Sequence, residues 1–227
     1  MSIWRSILAT LLPQDCLLCG SASRNDLLCA TCRADLPKLA DARCPCCAEV
    51  SPAGGKCDAC LRQAPHFDAT FAALSYQFPV DKLVQALKYR HRLAVAEFLA
   101  RSMLQGPRPT GDLLVPVPLS LARLRERGFN QAVEITRLLA RTLSLPIELH
   151  GCARSRDTTP QATLPWKERR KNVRHAFECS IDLTGKSVIV VDDVMTTGAT
   201  LDEFARCLKN HGALRVTNWV SARALRP

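Results

Sequence analysis

From Ser187 to Thr200 the chain reads Ser-Val-Ile-Val-Val-Asp-Asp-Val-Met-Thr-Thr-Gly-Ala-Thr. Residues 188–191 are an unbroken β-branched run with no polar face, as a central parallel strand covered on both sides requires. The expected strand, 187–191, ends in two adjacent acids, Asp192 and Asp193. A turn of small hydroxyl residues with one Gly follows. A helix over 199–210 comes next, stopped by Gly212. In open α/β sheets, ligands settle outside the carboxyl ends of the strands. Thr196, Thr197, Gly198, Ala199 and Thr200 can turn successive N–H groups and hydroxyls onto one phosphate, and the helix N-terminus favours its charge. Asp192 and Asp193 are placed to accept hydrogen bonds from ribose hydroxyls, or to hold Mg2+ directly or through water. No Gly-Lys-Ser/Thr follows, so this is not a Walker loop. The plain alternative is a strand–turn–helix connection with a Thr cap, which leaves the acids without a purpose.

From Phe67 onward strand and helix patterns alternate. Strands are expected over 70–76, 113–118, 147–150 and 215–220, and helices over 80–89, 93–104 and 129–142. Pro116-Val-Pro118 ends its strand abruptly. Residues 164–174 read as a strongly basic helix or lid. Such alternation builds an α/β, doubly wound parallel sheet. The five histidines match no metal or catalytic constellation and are read as surface or core residues.

Twelve cysteines are present, nine of them in the first 60 residues. Eight of those nine form Cys16-x-x-Cys19, Cys29-x-x-Cys32, Cys44-x-x-Cys47 and Cys57-x-x-Cys60. Each pair can converge two thiolates on one ion, and two pairs complete a tetrahedral Zn2+ site. Nine residues separate the pairs within each half. This zinc-ribbon-like spacing predicts two ions: one on Cys16, Cys19, Cys29 and Cys32, the other on Cys44, Cys47, Cys57 and Cys60. Interleaved pairing satisfies the spacing as well. All eight thiolates are used, so the ions are read as structural staples of a segment poor in large apolar side chains. Cys46 fits no pair; it is either a bystander or a replacement for a neighbour. Cys152, Cys179 and Cys207 read as small buried residues.

The net charge of +10 is uneven. Residues 1–62 hold seven Lys/Arg against six Asp/Glu, and the remainder 24 against 15. A basic body suits an anionic partner such as phosphate or nucleic acid, or is simply a soluble surface. No run of eighteen apolar residues exists, so no transmembrane helix is expected. Residues 1–13 lack a small-x-small cleavage site and read as a short amphipathic helix rather than an export signal. Paired cysteines without such a signal point to metal in a reducing compartment, the cytoplasm. Two domains are expected: a ribbon over 1–62 and an α/β body over 67–227.

The stretch 187–200 resembles the phosphoribosyl pyrophosphate signature of type I phosphoribosyltransferases. The whole chain is similar to one subgroup, the ComF/GntX-type (competence protein F) proteins. That similarity includes the double zinc ribbon, Leu87-Lys88-Tyr89, Val115-Pro-Val-Pro118 and Arg125-Glu-Arg-Gly-Phe-Asn-Gln131. It continues through Arg154 with Thr158, Gln161 and Leu164, then Arg169 with Asn172, Val173 and Phe177.

The resemblance implies a type I phosphoribosyltransferase-like parallel sheet flanked by helices, behind a small double zinc ribbon. It implies phosphoribosyl pyrophosphate or a close relative as ligand, with Mg2+. Asp192 and Asp193, the catalytic pair, would bind the ribose 2′- and 3′-hydroxyls, and Thr196, Thr197, Gly198, Ala199 and Thr200 the 5′-phosphate. Pro118, Leu119 and Ser120 would take the pyrophosphate, which Arg123, Arg125 and Arg127 could neutralise. Lys88 would also face the ligand. Residues 154–174, with seven Lys/Arg, two acids and Trp166, would form a mobile lid that excludes water. The same basic stretch could instead track single-stranded nucleic acid and stack a base.

Three functions compete. An enzyme would displace pyrophosphate with a nitrogen nucleophile, but no acceptor-binding hood is identifiable and the Met-Ser start offers no catalytic Cys of a glutamine amidotransferase. A binding protein would act in DNA uptake and natural transformation through single-stranded DNA, together with proteins of the competence machinery. A ribbon that merely docks a partner leaves the acids and the Thr-rich turn unexplained. The second role, with the ligand site of the first, accounts for the most residues.

Overall fold

The computed structural model describes residues 14–24, 26–156 and 173–225. The expected helix in residues 1–13 and most of the expected lid, 157–172, lie outside the described residues.

At the amino end β1 (Gln14–Asp15) and β2 (Ala22–Arg24) pair antiparallel. The short helices α1 (Ala30–Ala34) and α2 (Asp58–Arg62) follow Cys29 and Cys57, the first cysteines of the second and fourth pairs. At α1 a sulfur stands in for the usual capping oxygen: Cys29 Sγ accepts from the Cys32 N–H at 3.5 Å.

The body begins with β3 (Ala69–Ser75), α3 (Val80–Arg90) and α4 (Ala94–Gln105). It continues through β4 (Leu113–Pro116), α5 (Leu121–Arg127) and α6 (Gln131–Leu143). A two-stranded antiparallel ribbon, β5 (Cys152–Arg154) with β6 (Phe177–Cys179), flanks the undescribed segment. β7 (Ser187–Met195), α7 (Ala199–Asn210) and β8 (Arg215–Arg223) close the chain. The main sheet has the order β3-β8-β7-β4, with every pairing parallel.

Alternation along β7 explains its apolar run. Ile189 and Val191 pack under Leu83 and Leu87 of α3, Leu99 of α4, and Ile135 and Leu139 of α6. Val188 and Val190 pack on the other face against Leu201, Phe204 and Leu208 of α7. Successive strand residues point to opposite faces, so both faces must be apolar when both are covered. Each such Val or Ile contributes about 1.5–3 kcal/mol relative to exposure. The amino-terminal segment joins both cores: Cys16, Leu28 and Leu36 enter the first, and Cys44, Cys46 and Cys60 the second. Among the described residues, no helix is long and apolar enough to cross a membrane.

Several boundaries differ from expectation. The strand from Ser187 does not end at Val191 but runs to Met195, so the acids lie within it. β8 continues beside it to the Met195–Arg223 pairing, whereas β4 stops at the Pro116–Val191 pairing. The last bond from this side is the Val117 N–H on Val191 O, so from Asp192 onward β7 is paired on one side only. Residues 121–127 form their own helix, which Gly128 stops at φ 71°. The following helix starts at Gln131 rather than 129. Ile147 makes a single bridge to Leu114 and no strand.

Candidate functional site

The acidic pair sits at the carboxyl edge of the sheet. Asp193 is 2% exposed, and its Oδ2 lies 2.5 Å from Lys88 Nζ, carried by α3. Its Oδ1 accepts from Gln131 Nε2 at 3.2 Å, and Gln131 Oε1 accepts from Arg127 Nη1 at 3.1 Å. The Arg127 guanidinium lies 5.5 Å above the Tyr89 ring. The Asp193 N–H donates to Asp192 Oδ1 at 2.9 Å.

These neighbours split the two carboxyls. Burial pushes Asp192 up, the adjacent Asp193 charge adds to it, and its pKa stands well above the ordinary value. Burial would raise Asp193 too, but the Lys88 ammonium, with hydrogen bonds from Lys88, Asp192 and Gln131, holds it below. Lys88 is depressed by burial and lifted more by Asp193, so its pKa ends above normal. One carboxylate is thus committed to an ion pair, and its neighbour retains its proton more readily.

The chain leaves β7 through Thr196, Thr197 and Gly198. Gly198 has φ 81°, and a Cβ there would lie 2.7 Å from Met195 Cε. Thr197 Oγ1 accepts from the Ala199 N–H at 3.2 Å, which starts α7. The remaining N-terminal amides of this helix form a region of partial positive charge next to the acids.

Residues 117–120 leave the adjacent strand at the same edge, as the Val117 N–H donates to Val191 O at 2.9 Å. Ser120 caps α5. Asn130 caps α6 and ties it back through Nδ2 to Val117 O at 3.0 Å. Pro118, Leu119 and Ser120 line a cavity of about 690 Å³ shared with Asn130, Arg137 and Arg154.

The structure thus brings Lys88 to Asp193 and sets 118–120 beside the acid-bearing strand. It separates the three arginines of the motif: Arg125 lies exposed, Arg123 pairs with Glu126 at 3.0 Å, and Arg127 turns inward. Gln131, within the quoted motif but given no role, is the link between Arg127 and Asp193. His91 Nε2 contacts Arg127 O at 3.1 Å, a supporting contact that a lone histidine does not advertise in sequence.

The thiols gather as two sequential sets, not interleaved ones. Cys16, Cys19, Cys29 and Cys32 form one and Cys44, Cys47, Cys57 and Cys60 the other, with all sulfurs of a set within 4.8 Å of each other. Cys19 and Cys29 Sγ are 3.8 Å apart, and Cys47 and Cys57 Sγ 3.6 Å. Tetrahedral Zn2+ with bonds near 2.3 Å places its sulfurs about 3.8 Å apart, so both sets fit the ion. After the first and third pairs, Gly20 and Ala48 adopt left-handed φ values of 74° and 56°. Cys46 is buried, points toward Phe67 O at 3.8 Å and belongs to neither set; burial pushes its thiol up. Cys152 faces Cys179 across the β5–β6 pair, Sγ to Sγ 3.6 Å.

Residues 7–61 match the double zinc ribbon domain and residues 95–225 the phosphoribosyl transferase domain. The chain belongs to the phosphoribosyl transferase domain family and carries a double zinc ribbon ahead of that domain. The DNA utilization protein YhgH of Escherichia coli (strain K12) is 32% identical over 219 residues, 92% of this chain and 90% of that protein. Competence protein F of Haemophilus influenzae is 30% identical over 190 residues, 79% and 83% of the two chains. Competence protein ComFC of Bacillus subtilis is 28% identical over 226 residues, 87% and 89%. The resemblance to the competence protein F group holds over most of the chain.

Proposed function

We propose that this protein binds phosphoribosyl pyrophosphate or a close phosphoribosyl relative at the carboxyl edge of its sheet, and that it uses this site in handling single-stranded DNA during DNA uptake. The observation that carries the site is the one-sided end of β7, where Asp192 and Asp193 precede the 196–200 turn and the start of α7. On this reading Asp192 and Asp193 receive the ribose hydroxyls, and Thr196, Thr197, Gly198, Ala199 and Thr200 the 5′-phosphate. Pro118, Leu119, Ser120, Lys88 and Arg125 serve the diphosphate.

Mg2+ suits the donor set: a hard cation takes carboxylate, phosphate and water oxygens, and Asp192 is the carboxyl that Lys88 leaves uncommitted. When bound, it would offset the diphosphate charge. The basic body and the names of the relatives, a DNA utilization protein and two competence proteins, support the DNA role. That role places the protein in the cytoplasm beside the competence machinery, with a ribbon over 1–62 and a ligand-binding domain over 67–227. Calorimetric titration with phosphoribosyl pyrophosphate and Mg2+ tests the site. Saturable binding lost in Asp192→Ala/Asp193→Ala supports it; no binding by the wild type overturns it. For DNA, affinity for a single-stranded oligonucleotide should fall steeply with salt.

A further inference from the structure

Arg223, the last residue of β8, is 2% exposed and lies level with Met195 of β7. Its guanidinium donates in two directions. Toward the ligand loop, Nη1 reaches the carbonyls of Met195 at 3.3 Å and Thr196 at 2.5 Å, and also that of Ala224. Toward the ribbon, Nε reaches the Cys47 carbonyl at 2.9 Å and Nη2 reaches Glu49 Oε2 at 3.0 Å. One planar side chain therefore joins a cysteine of the second thiol set to the first residue of the 196–200 turn. Only the five-donor fork of arginine can span both groups of acceptors.

We propose that Arg223 is a positioning residue that couples the second thiol set to the 196–200 turn, so that metal on Cys44, Cys47, Cys57 and Cys60 and an anion on the turn stabilise one another. A trans peptide is planar, with its C=O and N–H opposed. Tying the Thr196 carbonyl to Arg223 therefore aims the Thr197 N–H away from the guanidinium, which leaves that donor for a ligand. The same geometry acts at the other end. The Cys47 carbonyl is held by Arg223, and the opposed Ala48 N–H donates to Cys44 O at 2.9 Å, closing the knuckle that Ala48 passes in left-handed form. Glu49 balances the Arg223 charge, so the coupling works through orientation and not through attraction of the ligand. Coupling between two sites is reciprocal and commonly amounts to about 5–150-fold in affinity.

The inference rests on the phosphoribosyl reading for the identity of the anion, and the test separates the two. The first arm uses zinc-loaded protein without ligand and follows hydrogen exchange at 196–200, with 188–191 as an internal control. Arg223→Lys, which keeps the charge but loses the fork, should speed exchange of the turn about tenfold, leave the control within about threefold, and retain two zinc ions per chain. Glu49→Gln, which perturbs only the ribbon side of Arg223, serves if Arg223→Lys does not fold; a rise of about threefold is expected. Unchanged exchange in the folded variants overturns the proposal.

The second arm follows alkylation of the eight thiols by N-ethylmaleimide, resolved by mass spectrometry, with and without phosphoribosyl pyrophosphate and Mg2+. Ligand should slow Cys44, Cys47, Cys57 and Cys60 about fivefold or more and leave Cys16, Cys19, Cys29 and Cys32 unchanged. Ligand that binds without slowing the second set refutes the coupling. If the ligand does not bind the wild type while Arg223→Lys still loosens the turn, the phosphoribosyl reading falls and the positioning role stands.

Discussion

Replacing Lys88 with Met keeps an unbranched side chain one atom shorter and removes its charge from Asp193. Breaking a buried ion pair on one side strands the other charge and costs about 3–5 kcal/mol. The Lys88 side chain keeps 20% exposure, and this screening favours the lower end, about 3 kcal/mol. In a chain of this length that corresponds to a fall in Tm of roughly 6–12 °C. The sign of the pH dependence follows from the two shifts. Asp193 is held below its ordinary 3.8, so its contribution is present above that value and is lost only as pH falls through a lower one. Lys88 is held above its ordinary 10.5, so its contribution is present below that value and is lost as pH rises past it. The wild-type pair is therefore intact across the neutral range. In Lys88→Met, only the hydrogen bonds from Asp192 and Gln131 still oppose burial at Asp193, and its pKa rises. The deficit should then be small near pH 5 and grow toward pH 8. Urea denaturation of the zinc-loaded protein at both pH values measures this. Lys88→Met/Asp193→Asn, with neither charge left, should recover to within about 1 kcal/mol of the wild type. A deficit equal at both pH values, or a double variant as unstable as the sum of its singles, would refute the reasoning.

Four further outcomes are expected. Phosphoribosyl pyrophosphate affinity in the presence of Mg2+ should rise with pH through the raised pKa of Asp192, since binding recruits its carboxylate and expels the proton; calorimetry in buffers of different ionisation heat reads that proton. Ala48→Gly should stabilise the protein by about 0.5–1 kcal/mol, because φ 56° suits Gly better than Ala, a rise of a few degrees in a thermal scan. Gly198→Ala should weaken ligand binding and cost about 1–2 kcal/mol of stability, from the left-handed φ and the approach to Met195; titration and denaturation check the two effects. Cys46→Ser should leave two zinc ions per chain by atomic absorption, as that thiol lies outside both sets.

The apolar run of β7 was readable because both of its faces are covered, and covered faces leave no polar residue to confuse the pattern. The thiol sets were readable from spacing up to their pairing, which needed three dimensions. The end of β7 was misplaced because Asp192 and Asp193 look like a strand terminus. In fact one neighbour, β8, continues, whereas the other makes its last bond from Val117 to Val191. Arg125 and Arg127 are the same residue type two positions apart in one short helix. Which one turns inward depends on the Gly128 stop and the Asn130 cap, a phase that composition does not carry. β5 and β6, three residues each, are too short for periodicity. The bonds from Arg223 to Cys47 and Glu49 span 176 and 174 residues, and no local pattern announces them.

The division of the amino-terminal segment between the two cores bears on the order in which the protein is completed during synthesis. Its first half packs with Val80, Leu83 and Leu99, which leave the ribosome early. Its second half needs Val216, Val220 and Arg223 from the last strand. The second half is thus made well before the strand that completes its packing. Until β8 emerges, its apolar surface and its four thiols remain open to chaperones, metal donors and oxidants.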